Sequence, residues 1–179
     1  MKQATLIDSK LLSLVIRRLS YQLIENHDDF SQAAILGLQP RGIFLAERIV
    51  DELQRIQPKN KIDYGVIDPT FYRDDFRRSG KALVAHPTEI PFSIEGKDIV
   101  LVDDVLYTGR TIRAGIECLL EYGRPRSVEL LVLIDRRYTR ELPVEPRYIG
   151  KSIDSYDNQK VKVSWKTDES EDRVLLLTE

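Results

Sequence analysis

The sequence predicts an α/β fold, a parallel sheet flanked by helices. Three observations carry this expectation. Apolar stretches of strand length stand at Ala33 to Leu38, broken only by Gly37, at Ile99 to Val102, which is continuous, and at Val128 to Ile134, broken only by Glu129. Helical periodicity follows the first two, and turn residues mark the joins at Gln39-Pro40-Arg41-Gly42 and Thr108-Gly109. A run apolar at every position suits a strand buried on both faces, and strands that alternate with helices require right-handed crossovers.

Each element has its own signal. From Asp8, the residues Leu11, Leu12, Val15, Ile16, Leu19 and Leu23 recur at helical spacing behind an Asp8/Ser9 cap. Arg17, Arg18, Gln22 and Glu25 lie between them, which makes an amphipathic opening helix. Ala33 to Leu38 is a Gly-interrupted strand, and Ile43 to Leu53 is the helix after its turn. Ile62 to Ile67 is the next strand. From Asp68 to about Pro91 the chain becomes polar, aromatic and Pro-containing, an excursion away from the sheet. Ile99 to Val102 leads into Asp103-Asp104, a loop, and a helix from Thr111 to Glu121 stopped by Gly123. Beyond the strand Val128 to Ile134 the pattern weakens. Lys160 to Trp165 and Val174 to Leu177 read as short late strands around an acidic turn, Asp168 to Asp172. No repeat, low-complexity tract or linker divides the chain, so residues 1–179 are expected to form one domain.

Composition narrows the function classes. With 27 Lys+Arg against 29 Asp+Glu the net charge is -2, which argues against a protein that coats nucleic acid indiscriminately but leaves room for a local basic face. The single Cys118 excludes a disulfide framework, and with only His27 and His86 beside it no structural zinc site is expected. No run approaches the ~18 apolar residues of a membrane span, and Met1-Lys2-Gln3-Ala4-Thr5 has no signal-peptide core. A reducing compartment, the cytoplasm, is the expected location.

The chemistry concentrates in Val102-Asp103-Asp104-Val105-Leu106-Tyr107-Thr108-Gly109-Arg110-Thr111. A buried strand delivers two acids to its carboxyl end, where open α/β sheets bind ligands. Backbone N–H groups of the following loop, the Thr108 and Thr111 hydroxyls and a helix N-terminus make a phosphate cradle, and Gly109 permits close backbone approach. The acids suit hydroxyl groups rather than phosphate. A phosphate and a diol on one ligand describe a ribose 5-phosphate. A bare acid pair before a turn is usually only local turn chemistry; the order of apolar run, acids and Tyr-Thr-Gly-Arg-Thr is what sets this segment apart. Gly-x-x-x-x-Gly-Lys and Gly-x-Gly-x-x-Gly are both absent.

That order resembles the signature of type I phosphoribosyltransferases, which bind phosphoribosyl pyrophosphate (PRPP). Gly37 to Gly42 looks like their pyrophosphate loop, with Pro40, Arg41 and Gly42 as its contacts. Thr70-Phe71-Tyr72-Arg73-Asp74-Asp75 looks like the start of a small flexible hood, about residues 68–95. With Asp135-Arg136, Arg140-Glu141-Leu142-Pro143 and Tyr148-Ile149-Gly150-Lys151, the resemblance narrows to the PyrR family, bacterial pyrimidine operon attenuation regulators that are also uracil phosphoribosyltransferases.

The resemblance implies a type I phosphoribosyltransferase fold and the reaction of uracil with PRPP to give UMP and pyrophosphate. In that role Asp103 and Asp104 hold the ribose hydroxyls, Arg73 closes over the site, and Val105 to Thr111 (Val105, Leu106, Tyr107, Thr108, Gly109, Arg110, Thr111) take the phosphate. Mg2+ arrives on the PRPP with no protein metal site. Base choice falls to Asp135, Arg136, Lys160 and Val161, the last through its backbone. Tyr107 stands where 6-oxopurine enzymes of the group carry Asp, which disfavours a purine phosphoribosyltransferase. Pro40 replaces a Thr common in relatives, removing a hydroxyl and an N–H. The stretch 136–140 is one residue longer than in relatives with Gly-His before Arg-Glu-Leu-Pro.

The same resemblance implies pyr messenger RNA as a partner, UMP as effector, and a homo-oligomer, dimer or tetramer. Its RNA-facing candidates are Arg17, Arg18, Tyr21, Arg140, Arg147 and Lys151, since Arg and Lys bind phosphates and Tyr stacks on unpaired bases. Read on the helix alone, Arg17-Arg18 are solvated charges of its polar face. Asn26 stands where relatives carry a basic residue. A nucleotide-sensing RNA binder with negligible turnover is the alternative. Cys118 reads as core, Trp165 as a partly buried late-strand residue and His86 as solvent-facing. Arg77-Arg78 either border the site or keep a loop soluble.

Overall fold

The computed structural model describes residues 2–74, 84–156, 158–167, 169 and 171–178. In chain order the elements are β1 Lys2–Ile7, α1 Ser9–His27, β2 Ala33–Leu38, α2 Gly42–Ile56, β3 Asp63–Ile67, β4 Asp98–Leu106, α3 Arg110–Leu120, β5 Ser127–Arg137, β6 Tyr148–Asp154, β7 Gln159–Ser164 and β8 Arg173–Thr178. A short 3-10 turn, Thr70–Tyr72, follows β3.

Among the described residues, five strands form a parallel sheet in the order β3-β2-β4-β5-β6, and β1, β8 and β7 form a small antiparallel sheet. The central strands are apolar on both faces because both faces are covered. Successive side chains of a strand alternate sides: Val100 and Val102 pack with Leu45, Ile49 and Leu53 of α2 and Leu19 and Leu23 of α1. Ile99 and Leu101 pack on the opposite side with Ile112, Cys118 and Leu119 of α3. Each fully buried aliphatic side chain is worth roughly 1.5–3 kcal/mol, so two continuous cores make the sheet a rigid platform. Cys118 lies in the second core, as its position on an apolar helix face indicates.

The opening helix begins at Ser9 because the Asp8 carboxylate accepts the Leu11 N–H at 2.8 Å. Leu12, Val15, Ile16, Leu19 and Leu23 are buried as expected, but Leu11 is exposed. β4 runs through both acids to Leu106 rather than ending at Val102, since pairing with β5 continues from Asp98↔Ser127 to Leu106↔Asp135. Ladder pairing between buried strands overrides the poor strand preference of Asp. β1 and β6 carry no expectation from the sequence, and Trp165 is fully buried rather than partly so, with the Arg48 guanidinium 4.6 Å from its ring centroid. Asp75, Arg77, Arg78 and Asp168 lie outside the described residues, as do residues 75–83 of the expected hood as a whole.

Topology places the site. The crossover from β2 through α2 leads to β3 on one side, whereas that from β4 through α3 leads to β5 on the other. The loops leaving β2 and β4 therefore diverge, and the crevice between them is the switch point at which α/β sheets bind ligands.

Candidate active site

At the β4 side of this crevice, residues 105–111 line a cleft of about 290 Å³ together with Arg73, Asp74, Asp103 and Ile112. Gly109, with φ of +89°, stands at the N-terminus of α3. That left-handed conformation favours glycine, and the Val144 side chain 3.2 Å from a Cβ placed there adds a steric reason. Thr108 turns its hydroxyl toward the Arg110 N–H at 3.4 Å. The cradle therefore combines helix-terminal N–H groups, two threonines and Arg110, a set suited to an anion.

Asp103 and Asp104 are buried at the end of β4, 8% and 9% exposed. Burial and then the neighbouring Asp104 push the Asp103 carboxyl well above the ordinary carboxylate range. Burial also raises Asp104, against the pull of Arg41, whose Nε lies 3.5 Å from its carboxylate. Two carboxylates held this way favour a ligand that brings hydroxyl donors or a cation.

Across the crevice, the Gln39–Pro40 peptide is cis and Arg41 caps α2. The Arg41 guanidinium donates to the Val163 carbonyl of β7 at 2.5 Å as well as facing Asp104. Gly42 lets α2 press onto β4: a Cβ there would lie 2.3 Å from the Val102 carbonyl oxygen and 2.9 Å from the Asp103 Cα. Arg41 and Gly42 thus approach the acid pair from the other loop, with exposed Pro40 just before them, and Arg73 follows the 3-10 turn at the cleft rim.

A second cavity, about 440 Å³, is lined by Val105, Tyr107, Arg136, Asn158, Gln159, Lys160 and Val161. It adjoins the cradle, because Val105 and Tyr107 border both. Arg136 is 5% exposed and its guanidinium sits 4.0 Å from the Tyr107 ring centroid. It donates to the Ser155 hydroxyl and to the carbonyls of Tyr156 and Gln159. Arg136 therefore shapes this cavity as a clamp and platform. Asp135 is also buried, and Arg140 pairs with it at 2.5 Å. Asn158 and Gln159 are wall residues with no sequence motif of their own; adjacency to Lys160 is the signal that points to them.

The basic residues expected to face RNA separate. Arg18 donates to the carbonyls of Ile149 and Gly150, Lys151 to that of Leu6, and Arg147 binds Asn26 and Glu129, so these three tie the edge strand β6 and the residue before it to α1, β1 and β5. Arg17 pairs with Glu52 at 3.0 Å, and Tyr21 is 53% exposed on the same helix. Arg140 stands apart, bonded to Asp135 and Tyr107 in the crevice. His86 is exposed, and its N–H donates to buried Asp68. Among the described residues no three His, Cys, Asp or Glu side chains converge as a metal cage, and no helix is long and apolar enough to cross a membrane.

Comparison with known proteins agrees with this geometry. A family profile described as the phosphoribosyl transferase domain matches residues 3–169. The bifunctional protein PyrR of Elusimicrobium minutum is 38% identical over 170 residues, covering 95% of this chain and 94% of the relative. That of Gloeothece citriformis is 41% identical over 172 residues, covering 96% of each. In fold, the chain is similar to the hypoxanthine phosphoribosyltransferase of Trypanosoma cruzi, with a TM-score of 0.73 at 15% identity over 97% of this chain and 95% of that one. With near-complete coverage on both sides, this chain belongs to the phosphoribosyl transferase family and, within it, to the PyrR family.

Proposed function

We propose that this chain is a uracil phosphoribosyltransferase that also regulates pyrimidine gene transcription by binding pyr messenger RNA in response to UMP. The observation that carries the reading is the wall shared by the two cavities. A ribose 5-phosphate with its phosphate at Thr108 to Thr111 sets its hydroxyls at Asp103 and Asp104 and its C1 toward the cavity beyond Tyr107. Uracil occupies that cavity, against Arg136, Lys160 and the Val161 backbone, with Asp135 behind. Pyrophosphate lies at Pro40, Arg41 and Gly42, and Arg73 closes from the hood.

The C1–N1 bond forms as the C1–O bond to pyrophosphate breaks. The bonding pair leaves with pyrophosphate, and the proton of uracil N1 passes to the departing pyrophosphate or to solvent. Positive charge builds on the ribose in the transition state, and the buried acid pair stabilises it. Magnesium would travel on the PRPP, held by substrate oxygens and water, and would supply positive charge beside the acid pair. The chain acts as one domain in the cytoplasm, as a dimer or tetramer. Incubation of PRPP with a panel of bases tests the catalytic half: uracil yields UMP, and guanine and hypoxanthine do not. Turnover of guanine without uracil overturns the pyrimidine assignment, whereas UMP-dependent RNA binding with negligible turnover assigns the chain to a nucleotide sensor.

A further inference from the structure

We propose that Arg140 is a positioning residue of the phosphate cradle, one that holds the carbonyl groups of the cradle loop away from the bound anion. The inference rests on the phosphoribosyl reading of the site. Resemblance groups Arg140 with RNA-facing residues, yet its guanidinium turns inward, with the side chain only 22% exposed. One amino group donates to the Tyr107 carbonyl, and the other lies 2.5 Å from Asp135 Oδ1.

The residues after Arg140 continue the pattern. The N–H groups of Glu141 and Leu142 both donate to the Thr108 carbonyl, at 3.0 and 3.2 Å. Arg110 reaches back to the Glu141 carboxylate at 2.5 Å. Both carbonyls immediately before Gly109 are therefore committed to a strap formed by residues 140–142.

A tight loop carries N–H groups that attract a phosphate and C=O groups that repel it, and every buried polar group needs a partner. With the Tyr107 and Thr108 oxygens bonded to the strap, neither turns into the cradle. The bonds to Thr108 come from backbone and survive any ordinary substitution. The bond to Tyr107 depends on the Arg140 side chain, and its second arm fixes it to Asp135. β4 and β5 already pair at Leu106↔Asp135, so Arg140 ties the loop to the adjoining strand one residue further on.

The test uses the full chain and compares Arg140→Gln and Arg140→Lys with the unaltered protein in PRPP titration calorimetry, UMP-formation kinetics and melting. Loss of one charge-assisted hydrogen bond predicts a rise of about tenfold in both the PRPP Kd and the PRPP KM for Arg140→Gln. The uracil KM moves by less than about twofold and the Tm by less than about 4 °C, since about 1 kcal/mol corresponds to that shift at this size. Arg140→Lys, which keeps a donor, recovers part of the PRPP affinity. Asp135→Asn added to Arg140→Gln causes no further loss of PRPP affinity, because the pair acts as one unit. Unchanged PRPP affinity in Arg140→Gln overturns the proposal, as does a loss confined to RNA binding. Equal losses for PRPP and uracil with a collapsed Tm also overturn it, as general damage. If the unaltered protein fails to bind PRPP, the phosphoribosyl reading falls and this proposal with it.

Discussion

The phosphate cradle takes most of its lining from one stretch, residues 103–112 at the end of one strand and the start of one helix, with Arg73 and Asp74 at its rim. The adjoining cavity instead draws Val105 from β4, Tyr107 from the loop after it, Arg136 from β5 and Asn158 to Val161 from the start of β7 and the turn before it. A contiguous site carries its backbone conformation with it, so a substitution there acts first on ligand chemistry. A dispersed cavity exists only while separate strands keep their places, so a substitution there acts on stability and on binding together. The difference gives each half of the site a distinct mutational signature.

The largest effect is expected at the acid pair that joins the two halves. Asp104→Asn removes a charge that stabilises the developing positive ribose, and kcat should fall by about 10²- to 10³-fold, the range for one preorganised electrostatic contact; initial-rate kinetics of UMP formation check this. Asp103→Asn separates chemistry from folding. Because burial and Asp104 raise the Asp103 pKa, the folded chain holds a proton that the unfolded chain releases. Native stability is therefore lost as pH rises from about 4, the ordinary Asp value, through the raised one. An uncharged Asn escapes that loss. The variant should be inactive and yet melt a few degrees higher at pH 7, with the gap closing below about pH 4. A lower Tm at pH 7 would show that the pair is structurally stabilising, against the frustration its burial implies.

Gly42→Ala tests how the second loop reaches the acids. Its Cβ would lie 2.3 Å from the Val102 carbonyl oxygen, an atom fixed in the central strand. Overpacking of this kind costs about 1–3 kcal/mol, and α2 must lift off β4 to relieve it. The expected result is a Tm lower by several degrees, at roughly 2–4 °C per kcal/mol, with a raised KM for PRPP and little change in that for uracil.

Legibility in the sequence follows the same division. Ala33 to Leu38, Ile99 to Val102 and Leu130 to Ile134 are buried on both faces, so their apolar character is visible without partners. The acid pair and the loop to Thr111 were visible because their order is their geometry. β1 was not, since Lys2–Ile7 is mostly exposed and exists as a strand through pairing with β8 at the opposite end of the chain. β6 was not, because an edge strand that buries Tyr148 and Ile153 around Gly150, Lys151 and Ser152 shows no apolar run. Asn158 and Gln159 became cavity walls only through the placement of β7. Arg140 shows the limit from the other direction: family pattern placed it on a surface, and two hydrogen bonds place it in the crevice.

A smaller and mixed effect is expected at Arg136, in the dispersed cavity. Arg136→Gln removes donors from the carbonyls of Tyr156 and Gln159 and the guanidinium stacked on Tyr107. Losing hydrogen bonds to these part-buried acceptors costs about 1 kcal/mol, so the Tm should fall modestly as the uracil KM rises several-fold. The PRPP KM should change much less. A changed PRPP KM with unchanged uracil KM would break the proposed division between the two cavities.

The smallest structural effect, and the cleanest test of the RNA half, is expected at Arg17. Its ion pair with Glu52 is redundant. Arg55 also binds that carboxylate, at 2.7 and 2.9 Å, and it is first among the causes that hold Glu52 down at about 2. Arg17→Ala thus leaves Glu52 ionised and partnered, and an exposed pair of this kind is worth only about 0–1 kcal/mol. Arg18 is a poorer probe, because it also bonds two carbonyls of the edge strand β6. If α1 meets RNA phosphates, Arg17→Ala weakens UMP-dependent binding of pyr leader RNA several-fold and lowers the slope of log affinity against log salt by about 1, with Tm and UMP formation unchanged. Unaltered affinity and salt slope would assign Arg17 to the solvated face of an amphipathic helix, and RNA contact would then have to come from Arg18, Arg147 and Lys151.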